Sequence, residues 1–144
     1  MTAPNPTAVL LLGHGSRAPG ANANMNRVAA ELRRRGQHQI VRCGFMELNE
    51  PSIPVAIKGL VESGATRIIV IPYFLHLGLH IREDIPELIA AQRREHAGVA
   101  IVLGGHLGFD PALVDIVEKR VAEAAAGRVV DHDARDESEE VAAS

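Results

Sequence analysis

Five side chains able to ligate a metal or move a proton stand directly after apolar runs. They are His14 in LLGHGSR, Glu47 in FMELNEPSI, His76 and His80 in PYFLHLGLHIRED, and His106 in LGGHLG. Two imidazoles and a carboxylate form a donor set that divalent iron, cobalt, nickel and zinc all accept. Three protein ligands leave positions open on the ion, unlike a closed structural zinc site. An open site suits a metal that has to be handed on. Imidazole also takes up a proton near neutral pH, so the same residues are candidate general bases. One histidine after a strand is usually an ordinary hydrogen-bonding residue; its repetition at successive strand ends is what points to chemistry. His38 and His96 fall at helix exits and read as surface polar residues.

The elements that must position these residues alternate strand and helix four times. Strand one covers residues 8–12. Helix one covers about 22–35, with Met25, Val28, Ala29 and Leu32 as its apolar stripe and Gly36 as its stop. Strand two covers 39–46, and Arg42 within it marks an edge strand. Helix two starts near Ser52, has Pro54 in its first turn, buries Ile53, Ala56, Ile57, Leu60 and Val61, and ends at Gly64. Strand three, residues 67–71, reads RIIVI, the continuous apolar run of a central parallel strand. Helix three is predicted to begin at Asp84, because Asp84 and Glu87 have capping-box spacing and Pro86 suits a first turn. Strand four covers 99–103. Helix four opens with Asp110 as cap and Pro111 as first residue, and is predicted to bury Leu113, Ile116, Val117 and Val121, so that no helix leaves a clear apolar patch outside.

This pattern predicts a three-layer α/β sandwich with a flavodoxin-like, four-stranded parallel sheet in the order 2-1-3-4. Ligands then bind at the switch point between strands one and three, beyond their carboxyl ends. Residues 73–83 are predicted to be loop, so the i, i+4 spacing of His76 and His80 is no helical metal pair. The predicted partner of His80 is His14, across the switch point. His76 is an accessory ligand or a structural residue, and Tyr73 and Phe74 read as core.

GHGSRA also fits the dinucleotide fingerprint G-x-G-x-x-A after a strand. Pro19 and Gly20 prolong the loop past the point where the helix should open. Glu47 lies much further on than the acid of that fingerprint, and there is no second mononucleotide-binding half. The glycines read better as freedom for the backbone to turn and for a flat ligand to approach.

Composition bounds the rest. Apolar residues make up 47% and charged residues 23%, as in ordinary globular domains. No apolar run nears the ~20 residues of a membrane span. The single Cys43 excludes an internal disulfide and reads as strand filler. The opening residues lack a basic stretch before their apolar run, so a cytoplasmic location is expected. Residues 1–126 read as one domain. Residues 127–144 carry six acids against two bases and no aromatics, and read as a disordered tail, including Asp131-His132-Asp133. No basic block or aromatic platform indicates nucleic acid.

GHGSR after strand one, F-x-E-L-x-E-P after strand two and PYFLHLGLHIREDIPE after strand three resemble the motifs of the small sirohydrochlorin chelatases. These are the short class II chelatases of the cobaltochelatase and ferrochelatase type, and the resemblance spans roughly residues 9–121. It implies a chelatase fold and insertion of Co(II) or Fe(II), with Ni(II) open, into sirohydrochlorin on the way to cobalamin or sirohaem. It implies neither ATP nor an organic cofactor, and a homodimer. The family motifs place His14, Glu47 and His80 as metal ligands and proton acceptors, while His76 falls where the family usually has no histidine. Sirohydrochlorin carries many carboxylates, so Ser16, Arg17 and Arg82 are candidates to bind its rim, and Gly78 and Leu79 to lie against its face. The alternatives are a divalent-metal carrier using the same side chains without catalysis, and a nucleotide-binding half-domain.

Overall fold

TAVLLLG has no polar side chain after Thr7, and as β1 (Thr7–Gly13) it is buried at every position after the first. Such a strand needs neighbours on both edges and cover on both faces. It pairs in parallel with β2 (Ile40–Phe45) on one side and with β3 (Arg67–Pro72) on the other, and β4 (Ala100–Leu103) lies outside β3. The order β2-β1-β3-β4 is the one the sequence predicts, and β2, with Arg42 exposed, is an edge. The structure is a computed structural model and describes residues 6–128. The expected acidic tail, apart from Gly127 and Arg128, lies outside the described residues.

Period-two alternation along β1 splits the core in two. Ala8, Leu10 and Leu12 face one way, with Ile68 and Val70 of β3, and meet α2 (Ile53–Glu62) and α3 (Leu79–Glu95) through Ile53, Ile57, Leu60, Ile85 and Ile89. Val9 and Leu11 face the other way, with Val41 and Phe45, and meet Met25 and Ala29 of α1 (Ala23–Arg34). Tyr73 and Phe74 pack against these clusters as predicted, and Cys43 is half-buried beside α1. No helix among the described residues is long and apolar enough to cross a membrane.

Two expectations are corrected. α3 starts at Leu79, not Asp84. Gly78 caps it with extended backbone, and the Arg82 N–H donates to the Gly78 carbonyl at 2.9 Å as the first helical bond. The physical reason is packing. Ile81, Ile85 and Ile89 recur every four residues on one face, and Ile81 packs against the core that Ile85 and Ile89 enter. That burial carries the helix upstream through the Asp84 and Glu87 spacing and leaves Pro86 inside it.

The second correction concerns α4 (Pro111–Ala125). Asp110 caps it as predicted, its Oδ1 accepting from the Ala112 N–H at 2.9 Å, yet the helix buries none of its side chains. Ile116, Val117 and Val121 stay 49%, 60% and 61% exposed, and Leu113 is only partly covered. Val102 on β4 also remains exposed. The sequence carries the amphipathic stripe of α4 but not the surface that covers it.

Candidate functional site

β1 and β2 end side by side, with Gly13 opposite Phe45. The loops that follow stay joined. The Met46 N–H donates to the Gly13 carbonyl at 2.9 Å and the Glu47 N–H to the His14 carbonyl at 3.1 Å. Gly15 then adopts φ +101°, and a Cβ there would lie 1.9 Å from the Glu47 carbonyl oxygen. Only glycine lets two backbones approach so closely in that conformation. This zipper sets His14 Nε2 3.2 Å from Glu47 Oε1, with both side chains about half-exposed.

The other ring nitrogen, His14 Nδ1, lies 3.2 Å from the Gly15 carbonyl. Both ring nitrogens therefore face oxygen acceptors. A neutral imidazole has one N–H and satisfies only one of them. With that hydrogen on Nδ1, the Nε2 lone pair and the Glu47 carboxylate converge on the same space, a two-donor seat for a cation.

His80 lies in the exposed first turn of α3, and His76 is exposed in the loop before it. His106 is half-buried in the loop after β4, which the Leu107 N–H ties to the Phe74 carbonyl at 3.0 Å. All follow strand ends on one edge of the sheet, as the βα order requires. The structure joins His14 to Glu47 and leaves His80 apart. Among the described residues no three His, Cys, Asp or Glu side chains stand close enough to share a metal.

The remaining predicted residues frame this edge. The Ser16 N–H donates to Asn49 Oδ1 at 2.6 Å, and its Oγ accepts from the Ala18 N–H at 3.1 Å. Arg17 is exposed in the β1–α1 loop and Arg82 is exposed near the start of α3. Leu79 is 71% exposed in the first helical position after Gly78. The helices after β1 and β3, which flank the switch point, have no side-chain cap at Asn22 or Gly78, whereas Ser52 and Asp110 cap α2 and α4. The Ala23 N–H at the start of α1 is taken by the Gly20 carbonyl at 2.9 Å, and the first-turn amides that remain favour anions.

Sequence reasoning gave no role to Asn49 or to the exposed apolar residues Leu75 and Phe109 on the same edge. Phe109 stands immediately before a clear helix cap, which was its one visible signal. Two grooves of about 300 and 490 Å³ run beside α1 and share Asn22, Asn26 and Asn49; neither is lined by His14, Glu47 or His80. α1 opens only at Ala23, well beyond Gly15, so the loop does not lead into a helix as the dinucleotide fingerprint requires.

Residues 8–124 match the family described as CbiX. A sirohydrochlorin cobaltochelatase of Methanopyrus kandleri is 34% identical over 137 residues, covering 81% of this chain and 96% of that protein. The sirohydrochlorin chelatase SirB of Bacillus subtilis subspecies spizizenii, in complex with cobalt, superposes with TM-score 0.75 at 30% identity over 82% of this chain. SirB of Bacillus subtilis with Fe3+ gives TM-score 0.72 at 31% identity over 80%. The chain spans 50% and 46% of those two longer proteins.

Proposed function

The chain belongs to the CbiX family, and from that premise we propose that it inserts Co(II) or Fe(II) into sirohydrochlorin as a chelatase. The observation that carries the residue assignment is the His14–Glu47 seat, two donors held 3.2 Å apart by backbone bonds between the loops that leave β1 and β2 at the carboxyl edge of a parallel sheet. His14 and Glu47 hold the incoming metal and His80, from the first turn of α3, supplies the third donor. Its side chain is exposed and free to turn toward the ion. Three donors leave room for the ring nitrogens to enter the coordination sphere. Insertion displaces the pyrrole protons, and His14 and His80 accept them once they release the metal.

The macrocycle lies over the same edge. Gly78 and Leu79 meet its face. Arg17, Arg82, Ser16 and the uncapped first turns of α1 and α3 meet its carboxylates. No ATP or organic cofactor enters, because the metal–nitrogen bonds formed drive the step. Ni(II) suits the same donors, so supply and insertion rate select the metal, and the product serves cobalamin or sirohaem synthesis. The proposed location is the cytoplasm, where a free thiol such as Cys43 stays reduced. The proposed assembly is a homodimer, supported by the uncovered apolar face of α4.

The test follows the absorption spectrum of sirohydrochlorin with metal-free protein and Co(II), and with Fe(II) under anaerobic conditions. Insertion should run far above the rate without protein and should not respond to ATP. Metal binding without faster insertion would make the chain a carrier instead.

A further inference from the structure

We propose that Asn49 is a positioning residue for the metal seat, its carboxamide oxygen clamping the His14 loop against Glu47; this rests on the assignment of His14 and Glu47 as metal ligands. The two backbone bonds that zip β1 and β2 stop at His14 and Glu47, because Gly15 turns the chain out of the ladder at φ +101°. Past Gly15, the Ser16 N–H has no backbone partner across the gap. Asn49 Oδ1 takes it at 2.6 Å, a side-chain bond between residues 33 apart in sequence. The Asn49 backbone is anchored in turn, its N–H donating to the Glu47 carbonyl at 2.8 Å around Leu48, whose φ of 68° is unusual for a leucine. A strained residue of this kind persists only where its surroundings hold it. Asn49 therefore grips both sides of the seat, the Glu47 turn through its backbone and the His14 loop through its side chain.

The clamp matters because the two donors do not hold each other. The His14–Glu47 contact is half in water and worth little by itself. The separation of the two donors is then set by the loops, and the loops are held by backbone bonds plus this one side chain. Asn49 stands at the second open position of F-x-E-L-x-E-P, so the motif assigns it nothing. Groups that orient metal ligands from behind are typically worth about 10- to 100-fold in metal affinity.

Co(II) titration of the metal-free full chain, read by the visible absorption of cobalt, tests this alongside thermal melting. Asn49→Ala should weaken Co(II) binding by about 10-fold or more and lower kcat for insertion. It should leave KM for sirohydrochlorin and cooperative melting in place. Asn49→Asp, which keeps an oxygen acceptor at the same reach, should stay near wild type. Asn49→Gln, whose oxygen sits one methylene further out, should behave like Asn49→Ala and replaces it if the alanine variant does not fold. Wild-type Co(II) affinity in Asn49→Ala and Asn49→Gln, with His14→Ala weakened, overturns the proposal alone. Loss in Asn49→Asp equal to that in Asn49→Ala also overturns it. Unchanged affinity in His14→Ala removes the metal seat itself, and the clamp with it.

Discussion

At 3.2 Å and half in water, the His14–Glu47 contact gives the fold less than about 1 kcal/mol. His80 is exposed and bonded to nothing that holds the fold. Replacing any of the three should therefore spare stability and expose their chemistry. His14→Ala and His80→Ala are each expected to lower sirohydrochlorin metallation by about 100-fold or more, with melting temperatures near wild type. Near-normal turnover in either variant takes that histidine out of the mechanism. Cys43 behaves differently. Burial pushes its thiol above the ordinary range, and the nearby Arg33 opposes this only in part. Iodoacetamide should label native Cys43 more slowly at pH 8 than the denatured chain. The sign for stability follows: the unfolded thiol ionises first, so this contribution is fully present below the ordinary thiol pKa and is lost as pH rises from there through the raised pKa of the folded state. The placement of His14, Glu47 and His80 at one edge of the sheet was legible because strand ends can be read from apolar runs, and ligands bind beyond those ends in parallel sheets. The Asn49 contact was not, because its bond to the Ser16 N–H depends on where Gly15 sends the backbone.

Among the elements, α3 separates two kinds of local signal. Asp84, Pro86 and Glu87 form a plausible helix start, and the sequence offers no reason to look upstream of them. The structure starts the helix at Leu79 because Ile81 continues the stripe of Ile85 and Ile89 into the core. Tertiary burial outweighs a capping pattern worth about 1 kcal/mol. The two starts predict opposite signs for one substitution. Inside a helix Pro86 denies the Arg82 carbonyl an N–H, so Pro86→Ala should raise the melting temperature. In a first turn proline is favoured, and the same change would be neutral or destabilising. Strand order was easier to read: RIIVI and AVLLL can only be central, while Arg42 marks an edge. The β1 loop adds a second test at this scale. Gly15→Ala forces a Cβ onto the Glu47 carbonyl in a backbone conformation that alanine resists. It should cost about 1–3 kcal/mol on melting and reduce Co(II) binding, since it pushes apart the loops that carry His14 and Glu47.

At the scale of the whole molecule, α4 is a helix whose apolar side chains none of the described residues bury. α4 exposes Val114, Ile116, Val117 and Val121, with Phe109 just before its cap 82% exposed and Val102 of β4 open as well. A helix of 15 residues is near the length at which helices become marginal without packing. Apolar side chains left exposed in number on one helix point to an interaction site. A second copy is the simplest cover, because a two-fold axis lets the α4 stripe of each protomer pack on the other. The stripe is also narrow, with Asp115, Glu118 and Lys119 among the polar side chains that flank it, so it suits a helix-sized partner better than a membrane. Sedimentation of the full chain at micromolar concentration should therefore give a dimer. Val117→Glu combined with Val121→Glu, both on the exposed stripe and away from the His14–Glu47 seat, should give a monomer with less helical signal. Co(II) binding at the proposed seat should survive the double substitution, since His14 and Glu47, its two proposed donors in contact, come from one chain. A wild-type monomer under these conditions would leave α4 without a self-partner and remove the homodimer from the proposed assembly.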